Sequence, residues 1–153
     1  MRKAMLFLAV FGLTGLLWAA DHFSGNWKLD PSKTKVTGVV ATFKSGSATI
    51  TAQTNGYKMV YDAVNSEGKS LHAEVSLKLD GKDHPVTGEP SFDTLSARRI
   101  DDFTEDRVVK KGGKEVATER VVVSKDGKTA TVTQKSKDAN GQDVIVTTVW
   151  IKQ

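Results

Sequence analysis

The stretch whose reading decides the fold is "KSLHAEVSLKL", residues 69–79. Leu71, Ala73, Val75, Leu77 and Leu79 fall on one face, and Ser70, His72, Glu74, Ser76 and Lys78 on the other. A period of two sends alternate side chains to opposite faces of a strand, so one face is built for burial and the other for water. The pattern recurs on both sides. In "NGYKMVYDAV" (55–64), Tyr57, Met59, Tyr61 and Ala63 share a face. In "DVIVTTVWIK" (143–152), Val144, Val146, Thr148 and Trp150 do, and in "FSGNWKLD" (23–30), Phe23, Gly25, Trp27 and Leu29 do. After the first twenty residues no stretch carries a helical period.

Turn signals punctuate the segments: Asn55-Gly56, Glu67-Gly68, Asp80-Gly81, Gly112-Gly113, Asp126-Gly127 and Asn140-Gly141. Asn-Gly and Asp-Gly supply the positive φ angles that tight hairpins need. Strands are expected near 23–30, 47–54, 57–64, 69–79, 84–87, 93–100, 103–111, 114–124, 129–136 and 143–152. Pro85 and Pro90 bracket a short strand or loop. Arg98, Arg99, Glu105 and Arg107 blur the alternation between 93 and 111. Short connections favour an all-β, up-and-down antiparallel barrel of about ten strands over a sandwich, because closure leaves no free edge.

The 153-residue chain opens with Arg2 and Lys3, followed by a charge-free run from Ala4 to Ala20. That is the pattern of a secretory signal peptide. Residues 1–20 are therefore read as a signal peptide cut near Ala19 or Ala20, and 21–153 as the barrel domain. Trp18 sits where a small residue is preferred before the cut, and an uncleaved N-terminal anchor is the alternative. A periplasmic or extracellular location is expected, with no stable membrane insertion once the leader is gone. Removing Arg2 and Lys3 from the formal net charge of +4 leaves +2 on the exported domain. The remaining charges are interspersed, which implies no nucleic acid or acidic membrane partner. There is no cysteine, so thiol chemistry and disulfides are excluded.

"GNW" at 25–27 and "TTVWIKQ" at 147–153, taken together, resemble the calycin superfamily of lipocalins and fatty-acid-binding proteins. The stretches "GNWKLDPSKTK", "YDAVNSEGK", "LDGKDHPVTGEPSFDTLSARRID", "ERVVVSKDGKTATVT" and "NGQ" also look like a group of small secreted bacterial lipocalin-like proteins. The resemblance implies that Gly25, Trp27 and Lys152 close the barrel: Gly25 allows a bend, and Lys152 stands over the Trp27 ring. Ten meandering strands suggest the fatty-acid-binding type. That family's Arg-x-Tyr pair on the last strand is replaced here by Thr148 and Trp150, which puts fatty-acid carboxylate binding in doubt. The family's internal Arg two strands earlier would be Arg120, on the face of Val116, Thr118 and Val122; a surface Arg paired with Glu115 or Glu119 is the other reading. Residues 31–46 should be a loop or extra strand, without the family's two-helix lid.

The expected ligand-binding interior is Tyr57, Met59, Tyr61, Leu77, Thr118, Arg120, Thr148 and Trp150. Small inward residues (Ala52, Ala63, Ala73, Ala130, Thr148) favour a cavity. His22, His72 and His84 have no metal-ligand spacing and are read as exposed. There is no nucleophile elbow. Asp101, Asp102, Glu105 and Asp106 lack the spacing of a calcium loop and read as a charged strand edge. No enzyme, cofactor or metal is expected. The function this points to is an exported protein holding a small apolar molecule non-covalently inside its barrel. The alternative is a filled barrel that acts as an interaction or structural module on a protein or envelope component.

Overall fold

The structure, a computed structural model, describes residues 21–38, 40 and 42–153. The leader expected over 1–20 lies outside the described residues. Ten strands follow in order: β1 (Gly25–Thr37), β2 (Phe43–Gln53), β3 (Gly56–Asn65), β4 (Ser70–Lys78), β5 (His84–Thr87), β6 (Thr94–Asp101), β7 (Thr104–Lys111), β8 (Lys114–Val123), β9 (Thr129–Lys137) and β10 (Asp143–Lys152). Every neighbour in the chain is an antiparallel neighbour in the sheet, and β1 pairs with β10 to close the barrel. The fold is therefore the expected all-β, up-and-down barrel.

The hairpins form where the turn chemistry predicts. At β2–β3, Asn55 takes a positive φ of 61°, and Gly56 lies so close to the neighbouring strand that a Cβ would meet the Leu77 carbonyl oxygen at 1.9 Å. Only glycine fits there.

Residues 31–37 correct one expectation. They are neither a loop nor a separate strand but the continuation of β1 beyond a register shift: Asp30 faces Val149, and the next paired residue, Lys35, faces Thr147. Pro31, which has no N–H to give a ladder, falls in the unpaired stretch between them. No helix occurs among the described residues.

Inward side chains form two clusters. Phe23, Trp27, Leu29, Val121, Val123, Ala130 and Trp150 make one. Tyr57, Val75, Leu77, Leu95, Ala97, Val109 and Ala117 make the other. Fully burying a side chain of this size contributes about 1.5–3 kcal/mol, and no disulfide supplements it.

Candidate ligand cavity

The barrel encloses a cavity of about 520 Å³ lined by members of both clusters. That volume falls within the roughly 300–1,000 Å³ of small-molecule sites. Val40 and Val116 line it and are 43% and 42% exposed, so they mark its mouth, at the end carrying the β1–β2 and β7–β8 turns.

Aromatic rings form part of the wall. Tyr61 stands 5.9 Å from Trp150 and edge-on to Phe43 at 6.2 Å, and all three rings line the cavity. Trp150 Nε1 donates to Thr148 Oγ1 at 3.0 Å, which satisfies the indole and leaves its ring as apolar wall. The Tyr61 hydroxyl makes no side-chain hydrogen bond among the described residues. Burial, followed by the charges of Glu119 and Glu89, pushes it far above the usual phenol range.

Among the described residues, three charged side chains line the cavity: Glu89, Arg107 and Glu119. Register places Arg107 opposite Glu119, and Glu119 opposite Gln134, so a polar stripe crosses β7, β8 and β9. Arg107 Nε donates to Glu105 Oε1 at 2.7 Å, and the Tyr57 hydroxyl donates to the same carboxylate oxygen. Gln134 Nε2 donates to Glu119 Oε1 at 3.2 Å, whereas Arg107 Nη1 stays 3.8 Å from Glu119 Oε2. Burial raises the Glu119 carboxyl against the opposing pull of Arg107. Burial alone would lower the Arg107 guanidinium, but the neighbouring Tyr57, Glu105 and Glu119 outweigh it, and it stays cationic.

Of the eight expected interior residues, Met59, Tyr61, Thr148 and Trp150 line the cavity. Tyr57 and Leu77 are fully buried in the second cluster, away from the cavity wall. Thr118 and Arg120 are corrections. The inward face of β8 is Ala117, Glu119, Val121 and Val123, one residue out of phase with the expected one. Arg120 lies outside, with a side chain 60% exposed and a two-pronged bond to Asp106 at 2.7 Å through both Nε and Nη2. Both phases of "VATERVVV" carry valines and one charged residue, so alternation alone could not choose between them. Of the small residues expected inside, Ala52 is exposed, whereas Ala63, Ala73, Ala130 and Thr148 are buried.

The polar stripe was missed. Glu105 and Arg107, read as a charged edge, are 0% and 6% exposed. The signal was there in the phase: Glu105 and Arg107 alternate in step with buried Val109, and Asp106 and Lys110 with the outside. His72 is exposed as expected, but His22 and His84 are half-buried; His22 stacks on Phe103 at 4.4 Å.

At the opposite end, near both termini of the domain, Gly25, Trp27 and Lys152 come together. Trp27 is 3% exposed, and its Nε1 donates to the Phe23 carbonyl at 2.8 Å. Lys152 Nζ lies 5.0 Å from the Trp27 ring centroid and donates to the His22 carbonyl at 3.2 Å. Gly25 has a φ of 130°, and a Cβ on it would meet Lys152 Cε at 2.7 Å. The lysine stem thus occupies the space a side chain would need.

No family model and no curated protein matches the sequence. Among solved structures the chain is similar to zebrafish ileal bile acid-binding protein complexed with cholic acid, at 9% identity and a TM-score of 0.50. The match covers 86% of this chain and 99% of that one. At that identity the likeness is one of fold alone.

Proposed function

We propose that this protein is a non-enzymatic, exported, lipocalin-like binding protein that holds a small apolar molecule non-covalently inside its barrel. The observation that carries the reading is the mainly apolar cavity of about 520 Å³ inside the barrel, open at one end, with few polar groups to orient a guest. Met59, Tyr61, Thr148 and Trp150 are the contact residues retained from the sequence, and Arg107, Glu119 and Gln134 join them. The zebrafish protein of similar fold is complexed with cholic acid, which supports a small-molecule guest for this barrel. Trp27, Gly25 and Lys152 act as the seal at the far end.

Export rests on the basic start and charge-free run of residues 2–20. Intact-mass measurement of protein recovered from the cell envelope or medium tests it, and a mass retaining Met1 to Trp18 would point to an anchor instead. The binding role is tested by titrating a fluorescent apolar probe and by native mass spectrometry of protein purified from its source. The expected result is one probe per barrel, displaced by the co-purified guest. A barrel that takes up no probe would pass the role to the interaction module, whose loops would then be the functional surface.

A further inference from the structure

The charges around the cavity do not balance in the way a carboxylate guest needs. Arg107 is the cavity's cation, and its shortest bond, 2.7 Å, goes to Glu105, a buried acid outside the lining. The Arg107 side chain is only 7% accessible, against 19% for Glu119, which also lines the cavity. Glu119 lies 3.8 Å from the nearest Arg107 nitrogen, beyond hydrogen-bond reach, and its bonded partner is the neutral amide of Gln134. A second acid, Glu89, lines the cavity from the β5–β6 connection. Among the described residues, two carboxylates therefore face the cavity against one cation, Arg107, whose closest partner Glu105 is shared with Arg99, 3.4 Å from its other oxygen and outside the lining.

The aromatic wall points the same way. Tyr61, Trp150 and Phe43 meet the cavity, and ring faces attract cations. Glu119, Glu89, Tyr61 and Trp150 all line this one cavity. A charge entering such a space is tolerated only when matched by an opposite one. An anion would meet two acids and an occupied arginine; an ammonium would meet a loosely held carboxylate and aromatic rings.

We infer that the cavity carries a subsite for a protonated amine, with Glu119 as counter-ion, Glu89 as a second acid, and Tyr61 and Trp150 as aromatic walls. Resting on the binding role proposed above, this makes the guest class an apolar amine rather than a fatty acid. The test is calorimetry at neutral pH with decylamine and decanoate below their micelle concentrations and decanol below its solubility limit. It is run on wild type, Glu119→Gln and Glu89→Gln, with the fluorescent apolar probe as a separate readout. Gln keeps the shape of Glu119 and a hydrogen-bonding partner for Gln134, so the fold should survive, and Glu89→Gln lies outside the strands altogether. In wild type the amine should bind about tenfold or more tighter than the alcohol, a difference of about 1.4 kcal/mol. With Glu119→Gln the amine and alcohol should bind alike, and Glu89→Gln should narrow the gap. Equal binding of amine and alcohol in wild type, or a preference that survives both substitutions, overturns the subsite while leaving the binding role standing. Tightest binding by decanoate overturns it in favour of Arg107 as an anion receptor. If none of the three binds and the probe is not taken up, the binding role itself fails, and the subsite with it.

Discussion

Trp27 shows how much one residue can hold in a closed barrel. Its ring is buried, its nitrogen is bonded to Phe23, and a lysine from the last strand stands over its face. Trp27→Ala should therefore cost about 3–5 kcal/mol in urea unfolding. A loss below about 1 kcal/mol would mean the end closes without it. Arg120→Gln is the matched control: its ion pair with Asp106 is exposed, so the change should leave the urea midpoint close to that of wild type and probe binding intact. Asp106 is held below the usual carboxylate range by Arg120, so whatever the pair contributes is present near neutrality and lost on acidification. Glu119 has the opposite sign. Its carboxyl is raised by burial, so the folded state holds a proton that the unfolded chain releases earlier, and stability falls as pH climbs from the unfolded value towards the raised one. Glu119→Gln should remove that fall, leaving the variant more stable than wild type at neutral pH. Denaturant melts across the acid-to-neutral range would show it, and identical profiles for the two proteins would contradict the assignment.

Among the elements, β5 is the weakest link. It has four residues, includes Pro85, and holds only two register pairs with β4 and two with β6. By contrast β3 holds nine with β4, and β10 nine with β9. Local opening free energy follows the density of buried contacts and ladder bonds. The amides of His84, Val86 and Thr87 should therefore exchange well before those of β3 or β10 in native-state hydrogen exchange. Equal protection would show that the flanking contacts, such as Lys110 to Asp83, hold β5 as firmly as a long strand. Most strands could be read from the sequence because a strand buried on one face must alternate, and β4 does so with a single apolar phase, Leu71, Ala73, Val75 and Leu77, against Ser70, His72, Glu74, Ser76 and Lys78. β8 formed where expected but in the other phase, because valines occupy both; its facing is fixed by partners such as Val132 and Ala130 on β9, which a single strand's sequence does not contain. β7 formed where expected, but its inward phase was hidden because inward Glu105 and Arg107 satisfy each other through a contact that alternation cannot register. The second half of β1 was hidden behind Pro31, a residue that ordinarily ends a ladder and here sits in the register shift.

The whole molecule divides its interior between packing and space. Ala97 is 1% exposed inside the second cluster and does not touch the cavity, whereas Ala73, equally small and 5% exposed, lines it. Both positions look alike in sequence, since each is an inward alanine on a strand. The barrel's use as a vessel predicts opposite responses to enlargement. Ala97→Leu adds methylenes where no room exists, and overpacking should cost about 1–3 kcal/mol of stability. Its effect on probe affinity should be small, because the cavity wall is elsewhere. Ala73→Leu places the same atoms into existing space, so stability should hold or rise slightly while probe affinity falls as the cavity shrinks. Paired urea unfolding and probe titration on the two variants read both axes at once. If Ala73→Leu destabilises the protein as much as Ala97→Leu and leaves probe binding untouched, the interior is filled in solution, and function must be sought on the outer surface of the barrel.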